Sequence, residues 1–216
     1  MIEQPWGVTA HGEGSIQVEP DYAVLRVAVN RIDQSPKMSL EDVQNAVSAV
    51  RHSLRAHQIP DAQITSSRIS VRTAWEMHRG ERTLLGHQAR VEFSVRVTQL
   101  ELVVPALVDA IDAGADEVIE IAYGSSRADE LRSEAREQAV AAAHAKARLY
   151  AEAANVRLGA VVHIEDVEPG RAGLGSGGPG LGGWQAAGDA VDTARDLAPG
   201  RVTVRAAVVL GFAIIR

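Results

Sequence analysis

Seven histidines, a run of acidic residues, a Gly-Glu-Gly turn and two serine pairs are the groups in this 216-residue chain whose types could do chemistry. His11, His52, His57, His78, His87, His144 and His163 never fall at the i, i+4 spacing of a helical zinc motif. His52 and His57 are five apart and lie on different faces of a helix, so scattered surface histidines are the reading. Asp109, Asp112, Asp116, Glu117 and Glu120 could attract a cation, yet they straddle a helix end, a turn and a strand without the loop signature of a calcium site, which predicts a solvated acidic edge. Gly12-Glu13-Gly14 could cradle a phosphate only if a helix followed. The next residues, Ser15-Ile16-Gln17-Val18, alternate as strand, so a bulge or a close backbone approach is expected there. Ser66-Ser67 and Ser125-Ser126 lack the Gly-x-Ser-x-Gly setting of an activated nucleophile, and Ser126, three before Asp129, is placed to cap a helix. The sequence therefore assigns no catalytic residue, no metal ligand and no cofactor.

Composition narrows the classes further. The absence of cysteine removes disulfides, thiolate nucleophiles and Cys-ligated zinc. A net charge of −6 argues against a nucleic-acid or anionic-membrane surface. Hydrophobic residues make up 46% but aromatic ones only 4%, so the core must be built from Val, Ile, Leu and Ala with close backbone contact. The first six residues carry neither a basic segment nor an apolar one, and no apolar run approaches the ~20 residues of a spanning helix. The expectation is a cytoplasmic chain without a membrane segment, or a periplasmic or exported one if a leader has been removed.

The elements that would position these groups can be read from periodicity. Residues 8–29 form two strands hinged at Glu19-Pro20-Asp21, the second burying Ala23, Leu25, Val27 and Val29. Ser35 and Pro36 offer an N-cap and first-turn proline to a helix in which Leu40, Val43, Val47, Val50 and Leu54 recur. Residues 64–77 are a strand with Ile69, Val71, Thr73, Trp75 and Met77 in phase and a bulge expected near Ser66-Ser67. A turn around Arg79-Gly80 leads to a strand over 84–98 that carries Val91, Phe93, Val95 and Val97 on one face. A short helix with Pro105 in its first turn runs to Gly114, and 118–123 is again strand. Leu131, Ala135, Ala139, Ala142, Leu149 and Ala153 mark a long helix that Asn155 should stop. Strand 160–167 then leads into a segment, 169–200, with ten of the 19 glycines, expected to be a flexible insert. The last strand, 202–215, is apolar on both faces and should lie centrally in a sheet or at a subunit contact. The order ββαββαβαββ is an α+β fold: antiparallel sheets packed by an amphipathic helix, a short helix and a long Ala-rich helix. It forms one domain over 1–216, divisible into subdomains at about 98/99.

Five stretches together resemble the SIMPL-domain family of YggE-like bacterial proteins: Val8-Thr9-Ala10-His11-Gly12-Glu13-Gly14-Ser15 with Pro20-Asp21-Tyr22-Ala23, Gln63 through Val71, Leu85 through Val91, Ala113-Gly114-Ala115-Asp116, and Ala135 through Gly159. The resemblance covers almost everything outside the glycine-rich insert. It implies an α+β fold, a tendency to homo-oligomerise, a loose link to stress protection and no established catalytic residues. Many bacterial members look exported, and many carry glycine where Asn155 stands.

Two functions follow as expectations. The first is a non-catalytic, self-associating protein, a homo-oligomer linked to stress protection or envelope scaffolding, with Val209, Ala213 and Ile215 on one face of the last strand and Trp184 in the insert as candidate interface residues. The second is a small-ligand or metal-binding protein, or an enzyme, with a site between sheet and helices that draws on His11, His87 or the acidic cluster.

Overall fold

The computed structural model of the protein describes residues 7–78, 81–167 and 200–215. Among these residues seven strands and three α-helices follow in the expected order: β1 (Val8–Val18), β2 (Tyr22–Asp33), α1 (Pro36–Ala56), β3 (Ile64–His78), β4 (Glu81–Val97), α2 (Val103–Asp112), β5 (Glu117–Gly124), α3 (Ala128–Ala153), β6 (Arg157–Val167) and β7 (Val202–Ile215). They build two compact units. Among the described residues the first comprises 7–19, 125–167 and 201–215, and the second comprises 20–124 with Gly200. Among the described residues the chain passes between them at Glu19/Pro20, at Gly124/Ser125 and at Gly200/Arg201, so residue 98 falls inside the second unit.

The second unit is a four-stranded antiparallel sheet in the order β3-β4-β2-β5 with α1 and α2 on one face. Period-two patterning explains its core. Ala23, Leu25, Val27 and Val29 from β2 are buried with Val91, Phe93, Val95 and Val97 from β4, and Val43, Val50 and Leu54 of α1 close over them. Arg31 ties the end of β2 to the turn before β5, where Asp116 accepts hydrogen bonds from its guanidinium and from the Asn30 backbone N–H, and the Gly114 carbonyl accepts another from Arg31. The expected bulge is present: the β3–β4 register shifts between Ser66 and Arg68. A second shift falls between Ala74 and Trp75, where Leu85 of β4 is the extra residue. The Leu85 carbonyl accepts a hydrogen bond from the Gln34 side chain, and Gly86 beside it has φ +133, with no room for a Cβ against the Asp33 carbonyl.

The first unit is a three-stranded antiparallel sheet in the order β1-β7-β6, so β7 is central, as its two apolar faces require. Helix α3 packs on it through Leu131, Ala135, Ala139, Ala143, Ala147 and Ala151. This corrects the sequence reading in its second half. Ala142, Leu149 and Ala153 are exposed, because the buried stripe keeps a strict spacing of four along one inclined ridge of the helix instead of alternating threes and fours. Gly12 and Gly14 lie under that ridge. A Cβ at Gly12 would sit 2.0 Å from the Ala139 carbonyl oxygen, and one at Gly14 2.1 Å from that of Ala135. The Gly-Glu-Gly turn is thus a close strand–helix approach.

All three helices end alike. Gln58, Gly114 and Asn155 follow the C-caps with φ values of 61°, 114° and 52°. In each case two N–H groups return to the last turn: Gln58 to Arg55 and Ile59 to Leu54, Gly114 to Ile111 and Ala115 to Ala110, Asn155 to Glu152 and Val156 to Ala151. These are paired Schellman bonds, and Asn155 stops α3 as its sequence position suggests. The helix starts differ from expectation. Ser35 precedes Pro36 but makes no side-chain cap bond, and α3 begins at Ala128 with Arg127 as N-cap. Ser126 is not that cap. Ser125 is the buried serine, its Oγ accepting the Arg127 backbone N–H at 3.3 Å.

Candidate functional site

The two histidines singled out for chemistry belong to different units. His11 is in β1 of the first unit and His87 in β4 of the second. Four of the five acidic residues around α2 and β5 each meet a different basic side chain: Asp109 meets His57 Nε2 at 2.6 Å, Asp116 holds Arg31, Glu117 lies 2.5 Å from Arg90 Nη1, and Glu120 lies 3.2 Å from Arg26 Nη1. The edge read as solvated acid therefore carries a series of charge contacts, and its arginines come from β2 and β4; strand alternation places Arg26 and Arg90 on the face away from the helices, while Arg31 shares the parity of Ala23, Leu25, Val27 and Val29. Hydrogen bonding to Glu117 is the chief reason that the Arg90 guanidinium is held more firmly protonated than usual. Among the described residues no group of three or more His, Asp or Glu side chains is arranged to hold a metal ion.

The candidate interface residues on β7 are placed by α3. Val208, Leu210 and Phe212 point under the helix with Ala139, Ala143 and Ala147, so Val209, Ala213 and Ile215 lie on the opposite face. Val209 and Ala213 are half-buried and Ile215 is exposed. Across the sheet Val209 is flanked by His11 and Glu165, which gives this face polar neighbours on both sides. Trp184 lies outside the described residues, as does the glycine-rich insert.

A surface that sequence reasoning did not single out lies on the β3–β4 hairpin. β2 accompanies β4 only as far as the Asp33–His87 pair, and beyond it, among the described residues, the two strands of the hairpin pair with each other alone. Ile69, Val71, Trp75 and Met77 of β3 and Leu84 of β4 are 61%, 44%, 46%, 73% and 47% exposed. Ile69 and Val71 pair with the buried Val91 and Ala89, so the strip continues the core face past the edge of its helical cover. Arg82 lies over the Trp75 ring at 4.3 Å. The in-phase residues were legible, but a period of two is the same for a strand face covered by a helix and for one left open.

Comparison with known proteins places this architecture. The chain is 27% identical over 172 residues to the 26 kDa periplasmic immunogenic protein of Brucella melitensis, covering 77% of this chain and 69% of that one. It is 24% identical over 166 residues to the uncharacterized protein YggE of Escherichia coli strain K12, covering 75% and 68%. No helix among the described residues is long and apolar enough to cross a membrane. Residues 8–212, which take in every strand and helix described above but the last three residues of β7, match the SIMPL family, described as a protein of unknown function (DUF541), and the chain belongs to that family.

Proposed function

We propose that this protein is a non-catalytic, self-associating member of the SIMPL family that works as an interaction or scaffolding protein in an exported, envelope-facing compartment. The observation that carries the reading is the strip of Ile69, Val71, Trp75, Met77 and Leu84, large apolar side chains left open side by side on one sheet face. Contiguous apolar patches of this kind mark contact surfaces, whereas scattered single ones do not. The dispersal of the titratable groups into separate ion pairs favours interaction over catalysis, since a reaction centre needs them convergent. The word periplasmic in the name of the Brucella relative supports the compartment, and the link to stress protection rests on the family resemblance.

Light scattering coupled to size exclusion over a range of concentrations tests it. A discrete oligomer is the expected result. A monomer at every concentration whose melting temperature rises with one member of a ligand panel would instead support a small-ligand protein.

A further inference from the structure

We infer that two copies of this chain join through the outer edge of β3, antiparallel and about a two-fold axis at Ala74. This deepens the self-association reading and rests on it. Three features lead to that edge. Among the described residues β3 is the outer strand of its sheet and pairs with β4 alone, which leaves the backbone groups on its other side available to a further strand. Its distal half belongs to a two-stranded ribbon without support from β2, and such ribbons are marginal in water until another strand or a packed face is added. The extra residue at the Ala74/Trp75 shift is Leu85, in β4, so β3 itself carries no insertion there that would break its outer edge.

The order of side chains then selects a copy of the same strand and one register. A two-fold axis at Ala74 sets each residue opposite the one equally far beyond Ala74 in the partner. Arg72 then faces the partner subunit's Glu76 and Glu76 the partner subunit's Arg72, both exposed on one face of the strand. On the other face Val71 meets the partner subunit's Met77 and Thr73 the partner subunit's Trp75, so the two open strips join side by side into one and shield each other's facing edges. An axis moved to Arg72 would keep two attractive pairs, Glu76 against the partner subunit's Arg68 and the reverse, but would oppose two arginines directly at the centre. The axis at Ala74 has two attractive pairs without that repulsion.

The chain contains no cysteine, which makes the register directly measurable. Residues opposite one another in an antiparallel pair have Cα atoms about 4.5–5.5 Å apart, within disulfide range. Single variants Ser70→Cys, Arg72→Cys, Ala74→Cys and Glu76→Cys in the full chain would be oxidised mildly and run on non-reducing gels. Ala74→Cys should give a covalent dimer while the other three remain single chains. In parallel, Glu76→Arg should weaken dimerisation about tenfold by light scattering, and Arg72→Glu with Glu76→Arg should restore it, since exchange of the two charges recreates the pair. Cross-linking at Arg72→Cys in place of Ala74→Cys overturns the register. An oligomer that persists in every variant with no cross-link and no response to charge exchange overturns the strand pairing and leaves self-association standing. A wild-type chain that is monomeric throughout overturns both.

Discussion

Gly12 in β1 and Ala139 in α3 are in backbone contact: a Cβ on Gly12 would lie 2.0 Å from the Ala139 carbonyl oxygen and 2.5 Å from the Ala143 nitrogen. Neither neighbour is a side-chain tip that could swing away. Gly12→Ala should therefore push strand and helix apart, and Ala139→Leu or Ala143→Leu should destabilise by ~1–3 kcal/mol through overpacking. Ala142→Leu, on the exposed side, should change stability by less than ~0.5 kcal/mol. Urea midpoints for the four variants check this. Equal effects at 142 and 143 would contradict the stripe of fours.

Gln58 holds a left-handed conformation, φ 61°, after α1. Glycine meets no Cβ penalty there, so Gln58→Gly should stabilise the protein by about 1 kcal/mol, the strain relieved exceeding the added chain entropy of glycine. Gln58→Val should do the reverse. Thermal melts of both variants give the comparison, and a destabilising Gln58→Gly would show that the side chain contributes more than its backbone strain removes.

Asp61 accepts two hydrogen bonds from the Arg55 guanidinium, and that hydrogen bonding is the main reason its carboxyl is held below the ordinary carboxylate range. Glu130 is lowered in the same way by Arg127. A folded pKa below the unfolded one means that the stabilisation is present above the unfolded value of about 3.9 for Asp, or 4.3 for Glu, and is lost as pH falls through the folded value. Both groups are exposed, so the effect on stability is small. NMR titration should find Asp61 returning to the ordinary range in Arg55→Met.

Val209 occupies the face of β7 turned away from α3. If that face meets another copy, Val209→Asp should lower the association state while leaving circular dichroism unchanged, because an unpaired charge at a contact is relieved by separation into water. Unfolding without a smaller soluble species would place Val209 in the core of its own unit. An unchanged oligomer would place the face on open surface.

The sequence pattern revealed local elements better than their partners. The alternation in β2 and β4 fixed their buried faces residue by residue, and the apolar character of β7 on both sides marked it as central, because burial on each face leaves a direct trace in residue type. The α3 stripe was legible as far as Ala139 and then misread, since in an alanine-rich helix 142 and 143 are chemically alike and only the crossing of helix over strand distinguishes them. Ser125 and Ser126 posed the same difficulty at the helix start. The pairing of β1 with β7 left no trace in either segment, because strand partners far apart in sequence are selected by the assembled fold. The open strip on β3 carries the pattern of a core face and was read only as a strand in phase.

The register of β1 on β7 runs from Val8 against Phe212 to Val18 against Val202, so one sheet pairs the first and last of the described strands while residues 20–124 form the other unit between them in sequence. During vectorial synthesis or translocation, which delivers the N-terminal side first, the inner unit has all its strands by residue 124 and can fold at once. β1 must wait with its edges open until β7 emerges. The earliest delivered of the described strands is thus paired only when the latest arrives, and the waiting interval, in which an unpaired β1 can meet another chain, is set by the time needed to deliver the residues between them.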